Sequence, residues 1–259
     1  MISKITDAEL FVSDMDGTVY LGDSVIEGAI DFVEALKRKN KRLLFFTNNA
    51  SRTKDYYIKK LKRLGFGECD VMTAGDVTIS YLSRFHSDKT VFVLGTELLK
   101  NDMISAGIKV TESDTAEIVV SSFDTELTYQ KVRTACDALH NGAVFLCTHP
   151  DYNCPLENGK QMPDSGAIVA MVSAATGKAP KFLGKPYAET AEAISVTTGV
   201  PLSKTVCIGD RLYTDIALAK NSGMTSVLVL SGETKQSDIN DDNMPDIVLE
   251  SVFDIIKHL

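Results

Sequence analysis

Short apolar runs of strand length recur at 10–13, 43–46, 91–95, 117–121, 143–147, 205–208, 226–230 and 246–249, with weaker ones at 71–73 and 181–183. Segments of helical length lie between them. Ile30, Val33 and Leu36 mark one apolar stripe, and Ile58, Leu61 and Leu64 another, closed by Gly65 where a helix is expected to stop. Val132, Ala135, Cys136 and Leu139 keep the i, i+3, i+4, i+7 spacing, while Ile168, Met171, Val172 and Ala175 read as a core-facing stripe. Alternation of strand and helix along the whole chain predicts an α/β fold with largely parallel sheets. The unbroken apolar run at 43–46 fits a strand covered on both faces. The middle of the chain forms a second, shorter α/β set. The pattern therefore predicts a discontinuous domain, 1–76 and 180–259, with a second domain, 77–179, inserted in it.

Ligands of open parallel sheets bind beyond the carboxyl ends of the strands, so the polar residues that end the apolar runs are the ones to read. These are Asp14-Met15-Asp16, Thr47-Asn48-Asn49, Gly184-Lys185-Pro186 and Gly209-Asp210. A hard divalent cation such as Mg²⁺ takes a few carboxylates and completes its shell with substrate phosphate oxygens. Asp14, Asp210 and a backbone carbonyl near Asp16 could supply such a site. A carboxylate can also attack phosphorus as a nucleophile, and a second carboxylic acid can protonate the leaving oxygen and then activate water. Thr47 and Asn48 are candidate donors to a phosphoryl group, and Lys185 offers a point charge. Gly17 permits a sharp turn that brings backbone N–H groups close to an anion.

Composition narrows the partners. The 259 residues carry a net charge of −8, which argues against a nucleic-acid polymer because phosphate backbones want clustered Lys and Arg. No apolar run is long enough for a membrane span, and the first residues lack the form of a signal peptide. The five cysteines are scattered without a C-x-x-C pair, as expected for reduced thiols in a cytoplasmic protein. Oligomeric state is not legible.

Taken together and in order, Asp14-Met15-Asp16-Gly17-Thr18, Thr47-Asn48-Asn49, Gly184-Lys185-Pro186 and Gly209-Asp210-x-x-x-x-Asp215 resemble the four motifs of the haloacid dehalogenase (HAD) superfamily. The Thr-Asn-Asn and Gly-Lys-Pro forms, and an insert between them, are similar to NagD-like class IIA phosphatases with a C2-type cap. The resemblance implies a Rossmann-like core with a mostly parallel sheet and an inserted α/β cap. It also implies a Mg²⁺-dependent phosphatase that hydrolyses small phosphomonoesters, of the sugar phosphate or nucleotide class, through an aspartyl-phosphate. In that scheme Asp14 is the nucleophile and a metal ligand, and Asp16 the general acid/base whose carbonyl reaches the metal. Gly17, Thr47, Asn48 and Lys185 bind phosphate, Lys185 also securing the nucleophile. Asp210 is a direct metal ligand, with Asp215 a supporting partner. By analogy with related caps, Asp151 and Asn153 are candidate contacts to the leaving group.

Simpler readings stand beside these. Asp-x-Asp-Gly alone is a common turn, Thr-Asn-Asn is ordinary loop and N-cap chemistry, and Gly-Lys-Pro is a solvated turn. Asp215 could cap a helix running to Gly223, and 149–154 could be a plain polar loop. Two other functions use similar residues: a phosphotransferase or mutase, and a phospho-accepting signalling domain. The inserted domain and Asp16 argue against the latter.

Overall fold

The structure, a computed structural model, describes residues 2–155 and 160–259. The chain begins with α1 (Ile2–Thr6), β1 (Leu10–Ser13), a hairpin of β2 (Tyr20–Leu21) and β3 (Ser24–Val25), α2 (Ala29–Arg38), β4 (Arg42–Thr47), α3 (Lys54–Arg63) and β5 (Asp70–Thr73). The middle contains α4 (Ala74–Phe85), β6 (Thr90–Leu94), α5 (Glu97–Ser105), β7 (Lys109–Val110), β8 (Ile118–Ser121), α6 (Tyr129–His140), β9 (Val144–Cys147), β10 (Asn153–Pro155), β11 (Gln161–Pro163), α7 (Ser165–Thr176) and β12 (Lys181–Phe182). The chain closes with α8 (Ala188–Thr198), β13 (Thr205–Gly209), α9 (Ala217–Ser222), β14 (Thr225–Val229) and β15 (Ile247–Leu249).

Two compact units result. The first comprises Met1–Thr47, Asp55–Met72 and Lys185–Leu259; the second comprises Asn48–Lys54 and Thr73–Gly184. The boundaries therefore fall a few residues outside 77 and 179, and the loop after β4 goes with the inserted unit. The first unit holds a six-stranded sheet of order β15-β14-β13-β1-β4-β5. Its pairings from β15 through β4 are parallel. Chain order reverses at β1, which lies between β13 and β4, so the carboxyl ends of these three strands meet at a topological switch point. All four residues of β1 are buried, as a strand covered on both faces requires. Phe11, Phe32, Leu36, Phe45, Leu61 and Phe66 fill the core around it.

The second unit is built on a five-stranded sheet of order β12-β9-β8-β6-β7, parallel throughout, with β10 and β11 as a separate antiparallel pair. Its core is centred on Val119, Ala135, Leu139, Phe145 and Val172. No described helix is long and apolar enough to cross a membrane.

Some helical faces are rotated from expectation. The buried stripe of α2 is Ala29, Phe32, Val33 and Leu36, and Ile30 lies exposed at its edge. In α7, Met171 and Ala175 face solvent while Ile168, Val169 and Val172 are buried. In α2 the i, i+3, i+6 series Ile30, Val33, Leu36 drifts around the helix, so Ile30 leaves the buried face that Ala29, Phe32 and Val33 occupy.

Candidate active site

Asp14 immediately follows β1, and its N–H still donates to the Ile208 carbonyl of β13 at 2.9 Å. The ladder ends there. The Met15 carbonyl accepts from Thr18 N and Val19 N, and Gly17 N donates to Tyr20 O at 2.8 Å, closing a tight turn in which Gly17 has φ of 83°. Asp14 and Asp16 consequently do not stand on one strand face. Asp14 points among acids, whereas Asp16 is exposed on the turn.

Lys185 stands where the chain re-enters the first unit. Its Nζ donates to Asp14 Oδ1 and Asp215 Oδ1, each at 2.6 Å, and lies 3.5 Å from the Phe46 carbonyl. Burial works against the ammonium, but Asp14 and then Asp215 outweigh it and hold its pKa above the usual lysine value. Asp215 lies on a single π-helical turn, Leu212–Ile216, ahead of α9. It caps no helix; its Oδ2 accepts from Thr214 Oγ1 at 3.0 Å.

Asp210 immediately follows β13 and is nearly inaccessible, at 2% exposure. Its Oδ2 accepts from Glu233 N at 2.7 Å, and Thr18 Oγ1 reaches Oδ1 at 3.4 Å. Carboxylate oxygens of Asp14, Asp210 and Asp215 lie within 4.8 Å of one another. Such crowding is costly without a cation. Burial, with Asp215 and Asp210 adding to it and Lys185 opposing, pushes Asp14 up to about 8. Burial and then Asp215 push Asp210 up to about 6, against the Glu233 N–H and Arg211. An all-oxygen set of clustered acids fits a hard divalent cation, which would neutralise the cluster.

Asp16 presents a different environment. Although the residue is exposed on the turn, partial desolvation of its carboxyl moves its pKa upward, opposed by Lys60, the Tyr20 hydroxyl and Arg211. The Lys60 ammonium sits 3.9 Å from the Tyr20 ring centroid. Thr47 closes β4 and is buried at the same end of the first unit's sheet.

Asn48 belongs to the second unit, where its Nδ2 donates to Asp151 Oδ2 at 3.2 Å. Asn49 Oδ1 accepts from Ser51 N and Ser51 Oγ, an Asx turn well ahead of α3, so Thr-Asn-Asn caps no helix. Asp151 is buried, and its carbonyl accepts from Gly166 N at 2.8 Å. Asn153 lies exposed on β10, opposite Pro163. The same unit holds a chain of buried groups. His149 Nδ1 pairs with Thr148 Oγ1 at 2.8 Å, and His149 Nε2 with Asp164 Oδ1 at 2.9 Å. Asp164 also caps α7 through Ser165 N. The segment 238–246, rich in acids and Asn, is largely exposed.

The residues after β14 escaped sequence reading. Ser231, Gly232 and Glu233 all touch the acid site: Ser231 Oγ donates to the Gly17 carbonyl at 2.8 Å, and Glu233 N holds Asp210. The rule that flagged the other strand ends applies equally to this one, but Ser-Gly-Glu bears no residue type that announces chemistry.

Two family models match the chain: haloacid dehalogenase-like hydrolase over residues 11–109 and HAD-hydrolase-like over residues 182–255. The 5'-nucleotidase YutF of Bacillus subtilis is 32% identical over 252 residues, 96% of this chain and 98% of its own length. An acid sugar phosphatase of Staphylococcus haemolyticus is 33% identical, covering 89% of this chain and 88% of its own. Among solved structures, a 4-nitrophenylphosphatase from Thermotoga maritima superposes with a TM-score of 0.93 at 40% identity, covering 98% of each chain.

Proposed function

This chain belongs to the haloacid dehalogenase superfamily, as a NagD-like class IIA phosphatase with a cap domain, and on that premise we propose that it works through an aspartyl-phosphate on Asp14. It is a phosphatase acting on a small phosphorylated substrate. The observation that carries the assignment of the nucleophile is exposure. Among the three clustered acids, the Asp14 side chain keeps 13% of its surface open, whereas Asp215 keeps 1% and Asp210 is buried.

Asp14 attacks phosphorus as the bond to the leaving oxygen breaks, and Asp16 donates the proton that the departing alcohol needs. The upward direction of its pKa shift favours the protonated form that this step needs. Asp16, now a carboxylate, takes a proton from the water that attacks the aspartyl-phosphate, releasing inorganic phosphate and restoring Asp14. Lys185 holds the Asp14 carboxylate in one rotamer and offsets phosphoryl charge. Thr47, Asn48 and the Gly17 turn are the proposed phosphate donors, and Asp151 and Asn153 the proposed contacts to the leaving group. Asp14, Asp210 and the Asp16 carbonyl would hold Mg²⁺, with Asp215 behind them, and the ion would neutralise the phosphate oxygens.

Sugar phosphates and nucleotides are the proposed substrate classes, supported by relatives named for each. A cytoplasmic site of action is supported by five cysteines that are all free. Acid quenching tests the mechanism. Asp16→Asn mixed with a phosphomonoester should yield a base-labile phosphoprotein that Asp14→Asn does not form. Turnover by Asp14→Asn near the wild-type rate would overturn the assignment.

A further inference from the structure

Glycine is usually chosen for its backbone freedom, but at Gly232 φ lies outside the left-handed region that favours glycine. What excludes a side chain is Asp210. A Cβ at Gly232 would overlap the Asp210 carboxyl, meeting Oδ2, Cγ and Cβ, and a Cβ at Gly17 would overlap the same Oδ2 and Cγ. Gly17 and Gly232 thus both leave room for one carboxyl group. The residues around Gly232 grip what surrounds that group. Glu233 N donates to Asp210 Oδ2 at 2.7 Å, and Thr234 N to the Asp210 carbonyl at 3.2 Å. Ser231 Oγ donates to the Gly17 carbonyl at 2.8 Å. Arg211 Nε lies 2.9 Å from Glu233 Oε2, tying the loop again to the residue after Asp210.

From these contacts we infer that the loop 231–234 is a positioning element for Asp210. Gly232 keeps clear the volume its carboxyl occupies, and Ser231 fixes the Gly17 turn against it. The inference rests on the reading of Asp210 as a cation ligand. Ligating carboxylates need partners that set their direction, and a site displaced by roughly 1 Å loses much of its function. An alanine methyl at 232 has to push Asp210 aside, because the backbone on both sides is held by the bonds above. Overpacking of this kind acts on the nearest movable group, here the Asp210 carboxyl.

The test is Mn²⁺ binding to the full-length protein, followed by the electron paramagnetic resonance of the free ion. Thermal unfolding in EDTA and p-nitrophenyl phosphate kinetics against metal concentration accompany it. Gly232→Ala should bind Mn²⁺ about 10- to 100-fold more weakly, keep its unfolding profile in EDTA, and recover turnover as metal is raised, with KM little changed. Mn²⁺ affinity within about two-fold of wild type, below the loss expected for a disturbed ligand shell, overturns the inference even if Gly232→Ala unfolds more easily. Should Gly232→Ala fail to fold, Ser231→Ala decides: weaker Mn²⁺ binding supports the inference, and wild-type affinity overturns it. Wild-type protein that binds no Mn²⁺ overturns the cation reading of Asp210 and this inference with it.

Discussion

Lys185 Nζ donates to Asp215 Oδ1 at 2.6 Å, and only 3% and 1% of the two side chains meet solvent. Asp215 therefore does more than stand near a metal site: it balances a buried ammonium that also serves Asp14. Removing one partner of a buried pair leaves the other charge uncompensated and costs roughly 3–5 kcal/mol. Asp215→Ala should destabilise the protein by that order, and it should lower kcat because Lys185 is no longer held between two carboxylates. Urea denaturation and steady-state kinetics check both effects. Wild-type stability in Asp215→Ala would mean that Asp14 alone satisfies the lysine.

Stability without metal should depend on pH in a direction opposite to ordinary acid denaturation. Unfolded, Asp14 and Asp210 titrate near 3.8; folded, they are pushed up to about 8 and about 6. Below about pH 4 both are protonated in either state and neither opposes folding. As pH rises, the unfolded chain ionises first, so their contribution is lost progressively until the folded groups ionise at their own values. In EDTA the melting temperature should fall between about pH 5 and pH 8, and saturating Mg²⁺ should remove most of that fall. A metal-free melting temperature that rises steadily over the same range would contradict the acid cluster.

The Thr148–His149–Asp164 chain in the second unit should be a stability determinant of that unit. Both its ring and its carboxyl are buried, and Asp164 also caps α7. Asp164→Ala removes the cap and the carboxylate that pairs with the buried imidazole. Losing the cap costs about 1 kcal/mol, and losing the hydrogen bond to the ring about 1 kcal/mol more. Chemical denaturation of Asp164→Ala should show this loss, with Asp164→Asn intermediate because it retains an oxygen to accept. Equal stability of the three proteins would rule the brace out.

A metabolite panel should show phosphate release from small phosphomonoesters with Mg²⁺ and none with chelator. Nucleoside monophosphates and sugar phosphates are the arms to compare. Added alcohol acceptors should not diminish inorganic phosphate; transfer to them in place of water would point to a phosphotransferase.

Much of this molecule was legible because chemistry-bearing residues end apolar runs. Asp14, Thr47 and Asp210 could each be named from the chain, since a parallel sheet delivers successive strand ends to one edge; Lys185 follows β12, a strand of the second unit's sheet, and was named for its charge and its Gly-Lys-Pro setting. Short pairings were not legible. The β2–β3 hairpin has two residues per strand, too few for a period-2 pattern to declare itself. The 231–234 loop was missed for a different reason: its work is done by backbone N–H groups, a hydroxyl and a missing Cβ, which have no distinctive residue signature.

By itself the sequence determined the α/β alternation, the inserted unit and the identity of the acids and lysine, because periodicity and residue type are local properties. Only the tertiary structure decided how those groups are arranged. Two carboxylates separated by one residue became a clustered acid and an exposed one because the ladder stops after Asp14 and the chain turns at Gly17. Asp215 became the partner of Lys185 rather than a helix cap, and Gly232 became the space in which Asp210 sits. Burial, charge pairing and excluded volume act between residues far apart in the chain, and they exist only once it has folded.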